Sequence, residues 1–467
     1  MAVDIDSPIR RARLAVAFSL ERLRTQVSEA KAQQFPGDHP GPLQWLELIS
    51  GLLDTAAEYL KRSAEPGQSA KKEAELVRDA AHLAFEAYNY LVLMRGAGMD
   101  ELPYAIIPPL QRWFEQLGVS NSTFFRAELL ANYELASIPD RLFSVRDPSA
   151  SLTKTVQQID WPFLRVTVPG KAFAIVPHLA IVAHEIGHAL FSKINWDLSP
   201  FVATEADDLF KRICTRLMLP HLDAGTVKFL QDAFRSWWEE LSADAFAFYL
   251  TGPAIFFSLP EFSQFLSDGY GLSDTHPATD LRRSVLFAKL SDGGSNSFAT
   301  IFKKHTAKDL TEDFNSPLVL RPPDSDQLYV DLCTKQDQNI AAVLTELHAS
   351  MPVLVGLVYD HVEQYLRTNA TESIYSAQKY DADLSEHLGP MLVAVPPIEA
   401  GPSLDSKVPT EFASILNVGW AVLLTKLGDL QVRAKEPDLF GANRLEVLQG
   451  LLSKAVELSE ARRVWER

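Results

Sequence analysis

Apolar residues recur at helical spacing through most of the first part of the chain. The pattern is clearest in three runs: PIRRARLAVAFSLERLRTQVSEAKAQQF, LQWLELISGLLDTAAEYLKRS and AKKEAELVRDAAHLAFEAYNYLVLMR. Segments rich in proline and glycine, FPGDHPGP and AEPGQS, separate these runs and are typical of breaks between helices. The pattern therefore predicts an N-terminal helical domain over residues 1–140.

The pattern changes near Arg141, where β-branched and aromatic residues become frequent. The runs RLFSVRD and FLRVTVPGKAFAIVP predict short strands, and the Pro-Gly pair inside the second run favours a hairpin. A helix is predicted over 176–192, with Pro177 in its first turn, where a missing N–H does no harm. Further helices are predicted at about 203–219, 225–250 and 277–290.

Beyond residue 300 the apolar spacing is again helical, with proline-rich breaks at LRPPDSD and VAVPPIEAGPSLDSKVP. The second break contains the loop 394–409, which we expect to be an ordered loop or a lid because it has few helix formers. The apolar run FASILNVGWAVLLTKLG is too short for a membrane span and is interrupted by Asn417 and Thr425, so it predicts a buried helix. We expect three parts: 1–140, 141–300 and a C-terminal helical region, 301–467.

Composition and charge narrow the classes of function. The chain has 467 residues, of which 47% are hydrophobic and 22% charged, a composition typical of globular proteins. Its net charge of −16 does not suit nucleic-acid binding, which needs clustered lysine and arginine. No run is apolar enough for a membrane span, and the first residues predict a helix rather than a signal peptide. Since Cys214 and Cys333 cannot form a disulfide framework, we expect a cytoplasmic protein.

The stretch AHEIGHALF (183–191) places three polar side chains in an apolar, helical run. His184 and His188 are four residues apart, so on a helix they lie on one face, where two imidazoles can bind one metal ion. Glu185 is rotated by about 100° from His184 and can instead reach a water bound to the metal. This is the H-E-x-x-H arrangement of zinc hydrolases, in which zinc lowers the pKa of its water and the glutamate acts as general base. The alternative, two core histidines bonded to backbone and an ion-paired glutamate, leaves three costly buried polar groups.

A third zinc ligand is expected in SWWEELSADAFAFYL (236–250). Glu240 and Asp244 are four residues apart and share a face of a largely apolar helix. Glu240 can reach the zinc, and Asp244 can accept the N–H on the far side of a liganding imidazole. Glu239 competes for the ligand role, and an alternative is that both glutamates are solvated or paired with Arg235.

The motifs HEIGH, EELSAD and HPATDLR (276–282) together resemble the gluzincin metallopeptidases. The similarity is closest to the CAAX prenyl endopeptidases and the bacterial heat-shock membrane peptidases, and it covers about 110 residues. The resemblance implies zinc binding by His184, His188 and Glu240, with Glu185 as general base. It also implies that Asp244 supports a ligand and that His276 or Arg282 stands near the substrate oxyanion. Those peptidases are embedded in membranes, so only their soluble zinc core is carried over.

The element HPATDLRR also has a structural interpretation. SDTHPATD resembles a helix start, with a polar cap and Pro277 at the first position, and Arg282 then pairs with an acid. Tyr270 is a further candidate electrophile. His178 is expected to face away from the metal, and the pair Trp237–Trp238 to pack in the core.

These observations predict an α+β, mainly α protein, in which a zincin-like metallopeptidase core with a small β-sheet or hairpin lies between two helical regions. The predicted function is that of a soluble zinc-dependent peptidase, an endopeptidase, with one Zn²⁺ per chain and a peptide or protein substrate. The flanking helices leave room for a regulatory protein partner. The alternative is a zinc-stabilised helical scaffold or sensor without peptidase activity, and a third hypothesis is hydrolysis of a non-peptide amide.

Overall fold

The computed structural model divides the chain into two compact units, Met1–Phe173 (unit 1) and Ala174–Arg467 (unit 2). The residues it describes are 8–35, 40–94, 97, 102, 104–119, 122–128, 134–138, 140–170, 175–194, 208, 211–218, 224–265, 271–273, 275–315, 329–330, 338–400, 408–430 and 442–466. The protein is mainly helical with a small sheet, which confirms the predicted fold class at that level. The zincin-like core and the three-part division stay predictions.

Unit 1 begins with the three helices that the apolar spacing predicted: α1 (Pro8–Lys31), α2 (Gly41–Ser63) and α3 (Ala70–Leu93). The Ser69 hydroxyl accepts a hydrogen bond from the backbone N–H of Lys72 and so caps α3, as short polar residues commonly do at helix starts. Trp45 on α2 is fully buried, and its ring meets Tyr90 and Phe143 edge to face. Two shorter helices follow, α4 (Ile107–Gln116) and α5 (Ala150–Gln158).

A three-stranded sheet completes unit 1, in the order β1 (Thr123–Glu128), β3 (Phe163–Pro169), β2 (Glu134–Ile138). β3 is central: it pairs in parallel with β1 and antiparallel with β2. The strand predicted in FLRVTVP is therefore confirmed, but the helical prediction for residues 1–140 did not include β1 and β2.

The prediction of a strand at RLFSVRD was wrong. The segment Asp140–Phe143 is a 3-10 helix, and Phe143 is buried in the aromatic cluster around Trp45. Both edges of β3 are already paired, so this run has no free edge of that strand to join. Residues 171–174, in the second half of the predicted hairpin, lie outside the described residues.

Unit 2 is built from helices, of which the apolar spacing had located several before residue 300 and, beyond it, only the run 412–428. A 3-10 turn at Val176–Leu179, with Pro177 inside it, leads into α6 (Ala180–Ile194) as predicted. The next elements are α7 (Ala224–Thr251), α8 (Pro253–Phe265), α9 (Thr279–Ser291), α10 (Phe298–Thr306), α11 (Leu310–Asn315), α12 (Gln338–Asn369), α13 (Ala377–Leu392), α14 (Phe412–Thr425) and α15 (Ala442–Glu466). The predicted helix at 203–219 is helical at 211–216, and much of its remainder lies outside the described residues.

Two-residue strands make two further small sheets in unit 2. β4 (Gly271–Leu272) pairs in parallel with β5 (Tyr329–Val330), and β6 (Glu399–Ala400) pairs antiparallel with β7 (Val408–Pro409). The second pair lies in the predicted loop 394–409, of which residues 401–407 are outside the described part.

The apolar run 412–428 forms α14, which is buried from Phe412 to Val422. Asn417, the residue that interrupts its apolar pattern, donates hydrogen bonds to the carbonyl of Thr251 at the end of α7 and to that of Ala413. This side chain therefore satisfies a helix-end carbonyl that would otherwise be buried without a partner. Across the described residues, no helix combines the length and apolar character needed to cross a membrane.

Candidate metal centre

Three side chains of unit 2 converge where α6 packs against α7. His184 and His188 come from α6, and their Nε2 atoms lie 3.2 Å apart. Glu240 comes from α7, with Oε2 3.4 Å from Nε2 of His184 and Oε1 3.3 Å from Nε2 of His188. One ligand atom from each of the three residues lies within 4.8 Å of the others, so this group could hold a metal ion.

The close approach of the two helices depends on Gly187, which lies inside the H-E-x-x-H motif. A Cβ atom at this position would lie 2.6 Å from the Cα of Ala243 on α7, and real Cβ atoms do not approach backbone so closely. Glycine lets the backbones touch, and so brings the histidines within reach of Glu240. The sequence pattern contained this glycine, but the spacing rules for metal ligands gave it no role.

The outer nitrogen of each histidine faces a carboxylate. Asp244 Oδ1 lies 2.9 Å from Nδ1 of His184, and Glu239 Oε1 lies 3.1 Å from Nδ1 of His188. A carboxylate can only accept, so each Nδ1 is the donor, and in a neutral ring Nε2 then carries a lone pair. Arg282 Nη2 is farther from Nδ1 of His184, at 3.5 Å.

Two imidazole lone pairs and a carboxylate therefore point toward one another with no donor among them. Consistent with this, Oε2 of Glu240 is buried without a hydrogen-bond partner in the described structure. Acceptors that converge in a buried place are stabilised by a cation. The donor set of two imidazoles and one carboxylate is one that zinc binds, so the residues fit a metal ion of this kind.

Four carboxylates make the site negative, and the pKa values of the histidines reflect it. Burial lowers the pKa of His188, but Glu239, Glu240 and Glu185 outweigh this effect and raise it to about 10. Burial likewise opposes the charged form of His184, yet Asp244 and Glu240 raise its pKa above the usual value. Without a metal ion the surroundings therefore favour the protonated rings, and a cation bound at Nε2 would take the place of those protons.

Arg282 supplies one compensating charge from inside the protein. Its Nε and Nη2 atoms donate to the two oxygens of Asp244, each at 2.7 Å, and its Nη1 lies 3.3 Å from Oε2 of Glu240. Its side chain is only 7% exposed, so the pairing with both carboxylates is strong. Although burial opposes ionisation, Arg282 holds the pKa values of Asp244 and Glu240 below their usual range.

His276 approaches the site from the solvent side. Its Nε2 lies 3.3 Å from Oε1 of Glu240, while Nδ1 lies 2.8 Å from the Thr275 hydroxyl. A turn holds the residue: the Ser273 hydroxyl accepts from the backbone N–H of His276, and Trp237 Nε1 donates to the Ser273 carbonyl. More than half of the His276 side chain is exposed, so the ring can meet a molecule that enters the site.

Glu185 follows His184 on α6 and is partly exposed. Its charge contributes to the raised pKa of His188, which places the carboxylate near the candidate metal ligands. Tyr270 lies outside the described residues. His178 does face away from the ligands, since its Nε2 bonds Glu261 at 2.7 Å, and Trp237 and Trp238 are buried as expected.

Two features of the site were missed in the sequence. Glu239 was considered only as a rival ligand, yet it faces the outer nitrogen of His188. Glu239 is next to Glu240 on one helix, and adjacent helix residues point about 100° apart. The sequence could therefore have indicated that Glu239 faces a different part of the site from Glu240. The predicted start of the helix after His276 was also wrong: α9 begins at Thr279 with Ala278 at its N-cap, so Pro277 lies before the cap and not at the first helical position.

Comparison with known proteins adds no identification. No protein-family model matches the chain, and searches of curated proteins and of solved structures gave no match.

Proposed function

We propose that this protein is a zinc-dependent metallopeptidase whose zinc is held by His184, His188 and Glu240. The observation that carries the proposal is the convergence of two imidazole Nε2 atoms and a carboxylate, each imidazole backed by its own carboxylate. Metal-binding histidines commonly have such partners, because these fix the tautomer and the ring orientation. A second support is the neighbouring Glu185, since a metal site that only stabilises the fold needs no general base.

When bound by the three protein ligands, zinc would lower the pKa of a coordinated water and polarise a carbonyl group. Glu185 would take the proton from the attacking water and pass it to the leaving amine. Asp244 and Glu239 hold the two imidazoles in the orientation that presents Nε2 to the metal.

His276 is the residue we assign to the developing oxyanion. A Thr275 hydroxyl that donates to Nδ1 leaves the proton of the neutral ring on Nε2, which faces the ligand cluster. Desolvation lowers the pKa of His276, with Glu240 opposing, so the ring is neutral at pH 7 and donates through Nε2–H.

Arg282 has a different surrounding. Its guanidinium is buried and bonded to Asp244, and it also approaches Glu240, so its contacts support a role in holding these two carboxylates. A direct role of Arg282 at the oxyanion stays a prediction of the resemblance.

The test is cleavage of a complex peptide mixture, read by mass spectrometry, with wild type and Glu185→Gln side by side. The metal content of both proteins is measured in the same samples. We expect about one zinc per chain in both proteins, and cleavage slower by at least about 100-fold in Glu185→Gln, because general-base catalysis contributes on that order.

The other outcomes separate the alternatives. Zinc in both proteins without cleavage by either contradicts the peptidase and supports the zinc-stabilised scaffold. Equal cleavage by both proteins removes Glu185 as the base. Wild type purified without chelator and holding no metal contradicts the site itself. Turnover of small amides but not of peptides supports a non-peptide substrate.

A further inference from the structure

Unit 1 carries an apolar groove between α1 and α3. The groove has a volume of about 430 Å³. Its α3 wall is apolar, formed by Ala81, Phe85 and Tyr88, and the last two side chains are 62% and 43% exposed. Large apolar side chains exposed around a concave surface commonly mark a binding site for another molecule.

The α1 wall of the groove combines the apolar residues Ala15, Val16 and Leu23 with a row of polar residues. Ser19, Arg22 and Gln26 follow one another at spacings of three and four residues, so they form a row along one face of α1. The row is about 10 Å long, since an α-helix rises about 1.5 Å per residue. The groove is therefore largely apolar, with a polar row along α1 that extends over about two helical turns.

The charge of α1 is opposite to that of the protein. The helix contains six basic and two acidic residues, whereas the chain has a net charge of −16. Arg13 is paired with Glu73 and Arg24 with Glu21 and Asp54. Within the described part of the chain Arg22 forms no ion pair, and its guanidinium lies over the ring of Phe18.

We infer that this groove binds an amphipathic helix of a protein partner, with acidic residues along one flank of its apolar face. The apolar face meets Phe85 and Tyr88, and an acidic side chain meets Arg22. Such helix-in-groove recognition uses apolar side chains at helical spacing, which the walls of the groove match. This inference concerns unit 1 and does not rest on the proposed peptidase activity.

Two other occupants fit less well. A lipid surface is flat on this scale and does not fill a concave groove, although arginines next to exposed aromatic rings can bind anionic lipid. A second copy of the chain, paired symmetrically through the same groove, brings two basic α1 helices together, and like charges repel.

The test uses the full-length protein and a fluorescein-labelled helical peptide of about 18 residues, read by fluorescence anisotropy. The peptide has leucines on one face and glutamates along one flank of that face, and a matched peptide has lysine at every glutamate position. Saturable binding of the glutamate peptide is expected, with the lysine peptide weaker by at least about tenfold.

Two groove variants and one control locate the binding. Arg22→Glu reverses the charge, and Ala15→Trp fills the groove from an exposed position on its wall. Each is expected to weaken binding of the glutamate peptide by about tenfold or more. Arg78→Glu makes the same change of charge on α3 at an exposed residue that does not line the groove, and it should change binding less than about twofold. Circular dichroism and melting curves check that each variant is folded.

The remaining outcomes overturn the proposal. They are no saturable binding of the glutamate peptide, equal binding of the two peptides, or binding unchanged by both groove variants. Binding to phosphatidylglycerol vesicles that Arg22→Glu abolishes, without peptide binding, indicates a lipid surface instead. A dimer seen by sedimentation in wild type and lost in Ala15→Trp indicates a second copy of the chain.

Discussion

At the scale of single residues, the candidate metal centre depends on which nitrogen of each histidine is protonated. A carboxylate occupies Nδ1 of both rings, and this leaves both Nε2 atoms for a metal ion. The two carboxylates have different surroundings, since the side chain of Asp244 is 1% exposed and that of Glu239 is 32% exposed. An interaction with a charge is stronger where water is excluded, so the two should contribute unequally.

We therefore predict that Asp244→Asn weakens zinc affinity by about 10–100-fold, the usual effect of removing such a partner. Glu239→Gln should weaken it less, because solvent screens the half-exposed carboxylate. Both affinities can be measured by competition with a chromophoric chelator. An unchanged affinity in Asp244→Asn, or a larger effect of Glu239→Gln, contradicts this ranking.

At the scale of secondary-structure elements, the contact of α6 with α7 sets the geometry of the centre. Each helix carries part of the site, and Gly187 allows their backbones to touch beside Ala243. Helix α13 of unit 2 shows how strongly local surroundings can differ along one helix. Asp381 is partly exposed and pairs with Lys304 and His305, whereas Asp383 is buried and accepts a hydrogen bond from Tyr375.

Gly187→Ala is expected to destabilise the protein by about 1–3 kcal/mol, as overpacking a close contact usually does. It should also weaken metal binding, because the added methyl pushes α6 away from Glu240. Gly356→Ala on α12 is the matched control, since no atom of the described residues lies within 4 Å of its added Cβ. There the better helix propensity of alanine should stabilise the protein by about 0.5–1 kcal/mol. Chemical denaturation measures both, and a stabilised Gly187→Ala would show that the helices do not need this contact.

The two aspartates of α13 should have opposite effects on the pH dependence of stability. Burial raises the pKa of Asp383, so its contribution is favourable at low pH and is lost as the pH rises through the folded pKa. Hydrogen bonds from Lys304 and His305 lower the pKa of Asp381, so its contribution is present at neutral pH and is lost on acidification. Asp383→Asn should therefore raise Tm at pH 8 more than at pH 4, and Asp381→Asn should lower Tm at pH 8 by a small amount. Melting curves between pH 4 and pH 8 test the direction of each change in Tm. A change of Tm in the same direction for both variants at pH 8 contradicts these assignments.

At the scale of the whole molecule, the chain consists of two compact units, each with buried apolar side chains of its own. The candidate metal ligands all belong to unit 2, and the groove between α1 and α3 belongs to unit 1. A metal ion that binds only the folded state stabilises the unit that holds it.

Removal of the metal with EDTA should thus lower the stability of unit 2 and leave that of unit 1 unchanged. Hydrogen exchange read by mass spectrometry is expected to accelerate in α6 and α7, while α1, α2 and α3 keep their protection. Repeating the measurement on His188→Ala, which lacks a ligand, controls for effects of the chelator elsewhere. Equal acceleration in both units would mean that the metal stabilises the molecule as a whole.

Much of the helical structure could be predicted from the sequence, because helical periodicity is a local property. The spacing located α1, α2, α3, α6, α7 and α14 close to their observed bounds. It failed at β1 and β2, whose short runs acquire their conformation by pairing with residues of β3 that lie 25 to 41 positions away. The strand predicted at RLFSVRD failed for the same reason, since a strand needs a partner edge that the run itself does not encode.

For the candidate site too, the sequence predicted what depends on a single helix, and the tertiary structure decided the rest. The spacing of His184 and His188, and of Glu240 and Asp244, was readable because residues four apart share a helix face whatever the rest of the fold does. Only the tertiary structure decided that Glu239 faces His188, that Arg282 pairs with Asp244 and Glu240, and that His276 approaches Glu240. Those contacts join residues 36 to 51 positions apart along the chain, so they depend on how the helices pack. Packing in turn is set by contacts such as that of Gly187 with Ala243, which no local pattern specifies.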